Sequence, residues 1–175
     1  MTESPWSRPV RWSDLGRGPS SVGLEADAPT RTRIARALGL PAIARLKADI
    51  TVTPWLDGAR IDGHIDAQVT QICGVSLDPF EAPVTDDFMV RVVPAGSPNA
   101  AQEDAEDALL DPEREDPPDV VDGDTFDIAA YVVEDLALAL DPFPRKPGVT
   151  FEPPADATPE SPFAVLKALK KSPPE

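Results

Sequence analysis

The chain has 175 residues, which is enough for one domain with a hydrophobic core or for a smaller domain with tails. Its formal net charge of −15 opposes contact with a phosphate backbone unless basic groups are gathered on one face, and it favours contact with basic proteins. No apolar run is long enough to span a membrane, and the N-terminus lacks the apolar core of a secretory signal. The single cysteine excludes an internal disulfide. From these three observations we expect a cytoplasmic protein.

The N-terminal part of the chain predicts two short extended pieces followed by a helix. The extended pieces fall within residues 4–26 and are separated by a link that contains glycine and proline. The helix is predicted over residues 28–39. Asp27 is a good N-cap for this helix, and Gly39 is a typical stop signal.

From residue 45 onwards, the apolar residues recur with the period of two that is typical of half-buried strands. The pattern predicts three strands, at about residues 45–53, 60–70 and 84–93, with a turn signal at Asp57-Gly58 between the first two. The apolar face of the third strand is interrupted by Asp86. Because the connections are short, we expect an antiparallel meander.

The acidic residues concentrate after the third strand. Residues 102–124 carry 11 acidic residues and 1 basic residue, and the whole stretch from residue 94 lacks periodicity. This composition predicts an acidic disordered loop. Order is expected to return with a helix over residues 128–140 that is capped by Asp127, and a short tail helix is predicted over residues 162–171.

These elements predict an α+β fold. We expect a mainly antiparallel sheet of about five strands, open or partly closed into a barrel, packed by two helices. Residues 1–93 and 120–142 form the predicted single domain, residues 94–119 the acidic loop, and residues 143–175 a proline-rich tail with the terminal helix.

Two clusters of residue types invite a chemical interpretation. Cys73 and Ser76 have the spacing of a Cys-x-x-Cys metal or redox pair, but a serine stands in place of the second cysteine. The stretch also follows a strand of the predicted meander. We therefore interpret Cys73 as a small buried hydrophobic residue at a corner of the chain. Asp62, His64 and Asp66 share one strand face and could hold a metal only weakly, because the chain has no second histidine. The sequence therefore predicts no catalytic residues, no metal site and no cofactor.

Two other groups of residues are candidates for an interaction surface. Basic residues cluster on or near one predicted helix and strand, where they form either a solvated face or a contact surface for acidic groups or phosphates. The tail helix presents an apolar face that either docks on the domain or binds a partner. The candidates are Arg31, Arg33, Arg36, Arg45 and Lys47 in the first group, and Phe163, Leu166 and Leu169 in the second.

Three stretches carry a resemblance to a known family. They are "LGLPAIARLKADITVTPW" with "ARIDGHIDAQVTQICGVSLDPFEAPV", then "GDTFDIAAYVVEDLALALDPFPRKPG", and finally "SPFAVLKALKK". In order and spacing they resemble the bacterial YceD family, known as large ribosomal RNA subunit accumulation proteins, over about residues 25–93 and 120–171. The Cys-Gly-Val-Ser-Leu-Asp-Pro stretch is similar to the alphaproteobacterial branch, whereas many members have a second cysteine at the position of Ser76.

The resemblance implies a cytoplasmic accessory role in ribosome biogenesis, supporting the accumulation or processing of large-subunit ribosomal RNA without an established enzymatic mechanism. Together with the charge, it leads to the hypothesis of a non-enzymatic factor that acts through a ribosome assembly component or a basic ribosomal protein. The alternatives are direct binding of structured RNA, including ribosomal RNA, through the basic residues, and a metal-dependent enzyme using Asp62, His64 and Asp66.

Overall fold

The structure is a computed structural model that describes residues 4–16, 18–100 and 116–151. The predicted tail helix at residues 162–171 and most of the predicted acidic loop lie outside the described residues.

Three long antiparallel strands form the centre of the main sheet, and they are β3 (Ala42–Trp55), β4 (Gly58–Ile72) and β5 (Pro79–Pro94). The edges are β2 (Ser20–Glu25), antiparallel to β3, and β6 (Asp119–Val121), parallel to β5. The spatial order is β2-β3-β4-β5-β6, so the sheet is open. The predicted meander and the mainly antiparallel α+β fold are confirmed, and the partly closed form is not adopted.

The other elements are a small second sheet and two helices. In the second sheet, β1 (Pro9–Arg11) pairs antiparallel with β7 (Thr125–Asp127). A 3-10 helix (Trp12–Asp14) follows β1. The helices are α1 (Ala28–Ala37) and α2 (Ile128–Ala139). Neither helix of the described residues has the length and apolar character needed to cross a membrane.

Both helices begin where the sequence predicts, because an aspartate caps each of them. The carboxylate of Asp27 accepts a hydrogen bond of 2.9 Å from the N–H of Thr30. The carboxylate of Asp127 accepts bonds of 3.0 and 3.2 Å from the N–H groups of Ala129 and Ala130. These bonds satisfy backbone donors that have no partner inside the first helical turn.

The hydrophobic core lies between the two helices and one face of the main sheet. Every second residue of β4 points into it, and Ile61, Ile65 and Val69 have no exposed surface. Ile34 of α1 and Leu136 of α2 are equally buried against the same cluster. The opposite face of β3, β4 and β5 carries polar and charged side chains, and we call it the open face.

The turn between β3 and β4 differs from the prediction. Its two turn residues are Leu56 and Asp57, and Leu56 has a left-handed φ of 53°, whereas Gly58 is already the first residue of β4. Gly58 is required by a close approach, since a Cβ there would lie 2.0 Å from the carbonyl oxygen of Val92. The glycine therefore serves the contact between β4 and β5 and not the turn.

Strand β5 is longer than the predicted 84–93. It starts at Pro79 because residues 79–83 pair with the last part of β4. Within the described chain, the other edge of β5 has a strand partner only at Val92–Pro94, so Pro79 and Pro83 lie along an edge that needs no further N–H donors.

Candidate functional site

A cavity of about 590 Å³ lies between α2 and the edge of the main sheet formed by β5 and the residues leading into β6. We call it the α2 groove. It forms because β6 pairs only with the last residues of β5, which leaves the preceding part of that edge open beside the helix. Its walls include Phe88, Asp119, Tyr131, Glu134, Asp135 and Leu138.

The groove combines an apolar wall with exposed apolar side chains. Phe88 packs over Gly63 of β4 so closely that a Cβ on Gly63 would lie 2.2 Å from the phenyl ring. Leu138 is 80 % exposed and Met89 is 46 % exposed. These exposed side chains, one on α2 and one on β5, provide apolar surface that a second segment could cover.

The helix side of the groove is acidic. Tyr131 is half-buried, and burial together with the neighbouring carboxylate of Asp119, with which it shares a hydrogen bond, raises the pKa of its hydroxyl group. Burial and the nearby charge of Asp86 raise the pKa of the Asp135 carboxyl. The Oδ2 atom of Asp135 is buried and has no hydrogen-bond partner in the described part of the chain.

A single basic residue, Arg91, lines this cavity among the described residues. Its guanidinium lies 5.3 Å from the ring centroid of Trp55, at the end of β3, in a cation–π contact. The carboxylates of Asp116, Asp119, Glu134 and Asp135 outnumber this one cation, so the groove has a net negative charge.

Apolar surface beside carboxylates suits lysine or arginine side chains, whose stems are apolar and whose ends are charged. Across residues 4–16, 18–100 and 116–151, no group of three or more His, Cys, Asp or Glu side chains is arranged to hold a metal ion.

The sequence model of the family described as "Large ribosomal RNA subunit accumulation protein YceD" matches residues 61–170, which is more than half of the chain. The chain belongs to the YceD family. The match begins in β4, includes α2 and extends to residue 170. No curated protein and no solved structure gives a significant match. The family description names a role in the accumulation of large-subunit ribosomal RNA, and it names no reaction.

In this YceD-family chain, the five basic residues predicted as an interaction surface lie on two sides of the main sheet. Arg31, Arg33 and Arg36 belong to α1, which packs on the buried face, whereas Arg45 and Lys47 of β3 belong to the open face. Arg31 and Arg36 both line a hollow of about 450 Å³ between α1 and β3.

On α1, two of these arginines contact the chain itself. The guanidinium of Arg31 donates a bond of 2.6 Å to the carbonyl oxygen of Ala26. The guanidinium of Arg33 donates to the carbonyl oxygen of Pro5 at 3.1 Å and to the hydroxyl of Thr30 at 2.9 Å. These bonds fix the helix to the segments before it.

On the open face, the basic residues pair with acidic ones. Arg45 donates two bonds to the carboxylate of Asp66, one of them 2.8 Å long, and Lys47 lies 3.1 Å from the carboxylate of Glu25. Cross-strand pairs of this kind help to set the register of neighbouring strands.

The trio considered for a metal is divided among separate partners. Asp62 pairs with Arg60 of its own strand, and Asp66 pairs with Arg45. The Nδ1 atom of His64 lies 2.6 Å from the carboxylate of Asp87 on β5. This hydrogen bond and the surrounding acidic charges raise the pKa of the His64 imidazole.

Cys73 occupies the corner that the sequence predicts between β4 and β5, and its side chain is buried. Its Sγ atom accepts hydrogen bonds of 3.4 Å from the N–H groups of Ser76 and Lys146. These bonds lower the pKa of the thiol to about 6. Pro144 is held at the same corner, where its carbonyl oxygen accepts a bond of 2.8 Å from the N–H of Gly74.

The remaining predicted residues, Phe163, Leu166 and Leu169, lie outside the described residues.

The sequence did not point to the α2 groove. A signal was present, since Asp86 interrupts the apolar face of β5 and Asp135 stands beside the buried Leu136 of α2. An acidic residue on each of two packing elements could have indicated a shared polar site.

Proposed function

We propose that this chain is a non-enzymatic accessory factor of ribosome biogenesis that supports the accumulation of large-subunit ribosomal RNA in the cytoplasm. We propose further that it acts through a basic protein partner, either a ribosomal protein or another assembly component. Family membership supports the first statement, and the charge of the chain supports the second.

The observation that carries the choice of a protein partner is the state of the basic residues. Arg31 and Arg33 are bonded to the chain itself, and Arg45 and Lys47 are paired with carboxylates. Contact with several phosphates needs basic groups that converge and are available. An excess of carboxylates attracts a basic protein at long range and accelerates association.

Direct binding of structured RNA is the second candidate. The observation that favours it is the hollow between α1 and β3, which Arg31 and Arg36 both line. Substitution of both arginines by glutamine separates the two candidates, because it removes the convergent cations without touching the acidic residues.

The two candidates are tested by binding measurements over a salt series. The purified chain is offered naked large-subunit ribosomal RNA, a set of purified basic large-subunit ribosomal proteins, and large-subunit precursor particles. We expect binding to at least one protein and to the particles, weakening as salt rises, and much weaker binding to naked RNA. Tight binding to naked RNA that is lost in the Arg31→Gln, Arg36→Gln variant would overturn the proposed partner class.

A further inference from the structure

The α2 groove has the chemistry of a docking site for a segment that is apolar on one side and cationic on the other. Leu138 offers exposed apolar surface, while Glu134 and Asp135 offer carboxylates on the same helix. Glu134 and Asp135 precede Leu138 by four and three positions, so the side chain of Leu138 neighbours both of them on the helix surface.

Asp135 gives the strongest indication of a missing partner. Its Oδ2 atom is buried and unbonded in the described part of the chain, and the charge of Asp86 lies close by. A buried carboxylate oxygen without a donor is costly, and two neighbouring carboxylates repel each other. A cation placed between them and the solvent relieves both effects.

The same chain contains a segment with the complementary chemistry. Residues 161–171, "SPFAVLKALKK", carry three lysines and no acidic residue. Phe163, Leu166 and Leu169 recur every third position, a spacing that places apolar side chains on one side of a helix.

The connecting chain is long enough for this segment to reach the groove. Pro144 is fixed at the Cys73 corner, next to the start of β5. The groove begins at Phe88, about 30 Å along the strand from Pro79 at the usual rise per residue. Residues 152–160, which join the last described residue to this segment, can span about 30 Å when extended.

We propose that residues 161–171 dock in the α2 groove of their own chain, with the apolar side chains against Phe88 of β5 and Leu138 of α2 and with lysines facing Glu134 and Asp135. The family match supports a joint role for the two parts, since it includes β5, α2 and the terminal segment up to residue 170. The inference does not depend on the proposed function, because it concerns contacts within one chain.

Crosslinking tests the docking directly in the full-length chain. Cysteines are introduced at Leu138, in the groove, and at Ala168, in the terminal segment, and are joined with a short bis-maleimide. The control pair has its first cysteine at Thr51, on β3 away from the groove. We expect efficient crosslinking within one chain for Leu138→Cys with Ala168→Cys, at least tenfold above the control, and a loss of it when Leu166→Asp is added.

Peptide mapping of the products identifies which cysteines are joined, and the product mass separates crosslinks within one chain from those between two. Equal yields for both pairs, or joined cysteines found only between two chains, would overturn docking in the same chain. Yields that remain high in the Leu166→Asp variant would overturn the apolar contact.

A second measurement tests the charged contacts. The Glu134→Gln, Asp135→Asn variant of the Leu138→Cys, Ala168→Cys chain should crosslink about three- to tenfold less efficiently at low salt, because the lysines lose their carboxylate partners. Asp87→Asn on β5 serves as the matched control because His64 already pairs with Asp87 outside the groove. Equal crosslinking in the parent chain and in both variants would contradict the assignment of the lysines to the groove.

Discussion

At the scale of single residues, the sulfur of Cys73 holds two parts of the chain together at one corner. Its sulfur accepts two backbone N–H groups, from Ser76 in the same turn and from Lys146 far along the chain. The residue therefore joins the end of β4 to the segment that follows α2. The sequence predicted the buried corner, but it gave no sign of Lys146, because a contact over such a separation depends on the folded chain.

Replacement of Cys73 should separate its role as an acceptor from its role as packing. We expect Cys73→Ala to lower the free energy of unfolding more than Cys73→Ser, since alanine leaves two backbone donors without a partner and serine retains an acceptor. Urea denaturation followed by circular dichroism measures the difference. Equal losses for the two variants would show that the hydrogen bonds to sulfur contribute nothing.

The thiol also predicts a pH dependence of stability. The pKa of Cys73 is lowered from its ordinary value of 9.0 to about 6 in the folded chain, so the unfolded state binds more protons between these values. The stabilisation is fully present above about pH 9 and is lost as pH falls through about 6. Relative to Cys73→Ser, the wild-type urea midpoint should therefore rise between pH 6 and pH 9. A constant difference across that range would contradict a lowered pKa.

At the scale of elements, α2 and the N-terminal strand share one anchor. Besides capping α2, the carboxylate of Asp127 accepts a bond of 2.7 Å from the N–H of Arg8 and a second bond from the hydroxyl of Ser7. The ring of Trp12 then packs against Phe126, with centroids 4.7 Å apart. The start of α2 and strand β1 are therefore held by the same residue.

Loss of the Asp127 carboxylate should affect both elements. We expect Asp127→Ala to cost about 1–2 kcal/mol, at the upper end of the range for a helix N-cap, and to speed hydrogen exchange in β1. Asp127→Asn is the matched control and should cost less, since its side-chain oxygen can still accept from the first turn. Faster hydrogen exchange in α2 without any change in the exchange of β1 would argue against the shared anchor.

The contact between β4 and β5 depends on Gly58. Because a Cβ at this position would meet the carbonyl group of Val92, Gly58→Ala should destabilise the chain by about 1–3 kcal/mol, the range for overpacked sites. Gly23→Ala on β2 is the control, since its Cβ would lie 3.5 Å from the nearest atom, Asp49 Oδ1. Urea denaturation of both variants measures their free energies of unfolding. Equal values for Gly58→Ala and Gly23→Ala would contradict the close approach of β5 to Gly58.

Local signals predicted the elements better than their pairing. Alternation placed Ile61, Ile65 and Val69 on the buried face, and Asp27 and Asp127 marked the helix starts, because both signals act over a few residues. The three-residue strand β6 and its parallel pairing with β5 have no local pattern, since Asp119–Val121 is too short for a period to appear. The α2 groove depends on this pairing and was therefore not predicted.

At the scale of the whole molecule, the charge distribution should govern association with a partner. Seven of the eleven acidic residues in residues 102–124 lie between Glu103 and Glu115. Replacing these seven by glutamine or asparagine keeps the chain length. If the partner is basic, association should slow several-fold at low salt, and its salt dependence should flatten.

Stopped-flow or surface-binding kinetics over a salt series measure this effect. The matched control replaces Asp62, Asp66 and Asp87 on the open face, which are already paired with Arg60, Arg45 and His64. Unchanged rates for the seven-fold variant would remove this segment from the mechanism of association.

In the described part of the chain, the edge of β5 before Val92 has no strand partner, and this bears on how the protein behaves when it is crowded. An uncovered strand edge is a template on which strands of other molecules can add, which leads to aggregation. Pro79 and Pro83 have no backbone N–H to offer to another strand, and Glu81 and Asp87 add repelling charges between neighbouring molecules. The prolines and charges along β5 should therefore disfavour the recruitment of another copy of the chain into a continuous sheet.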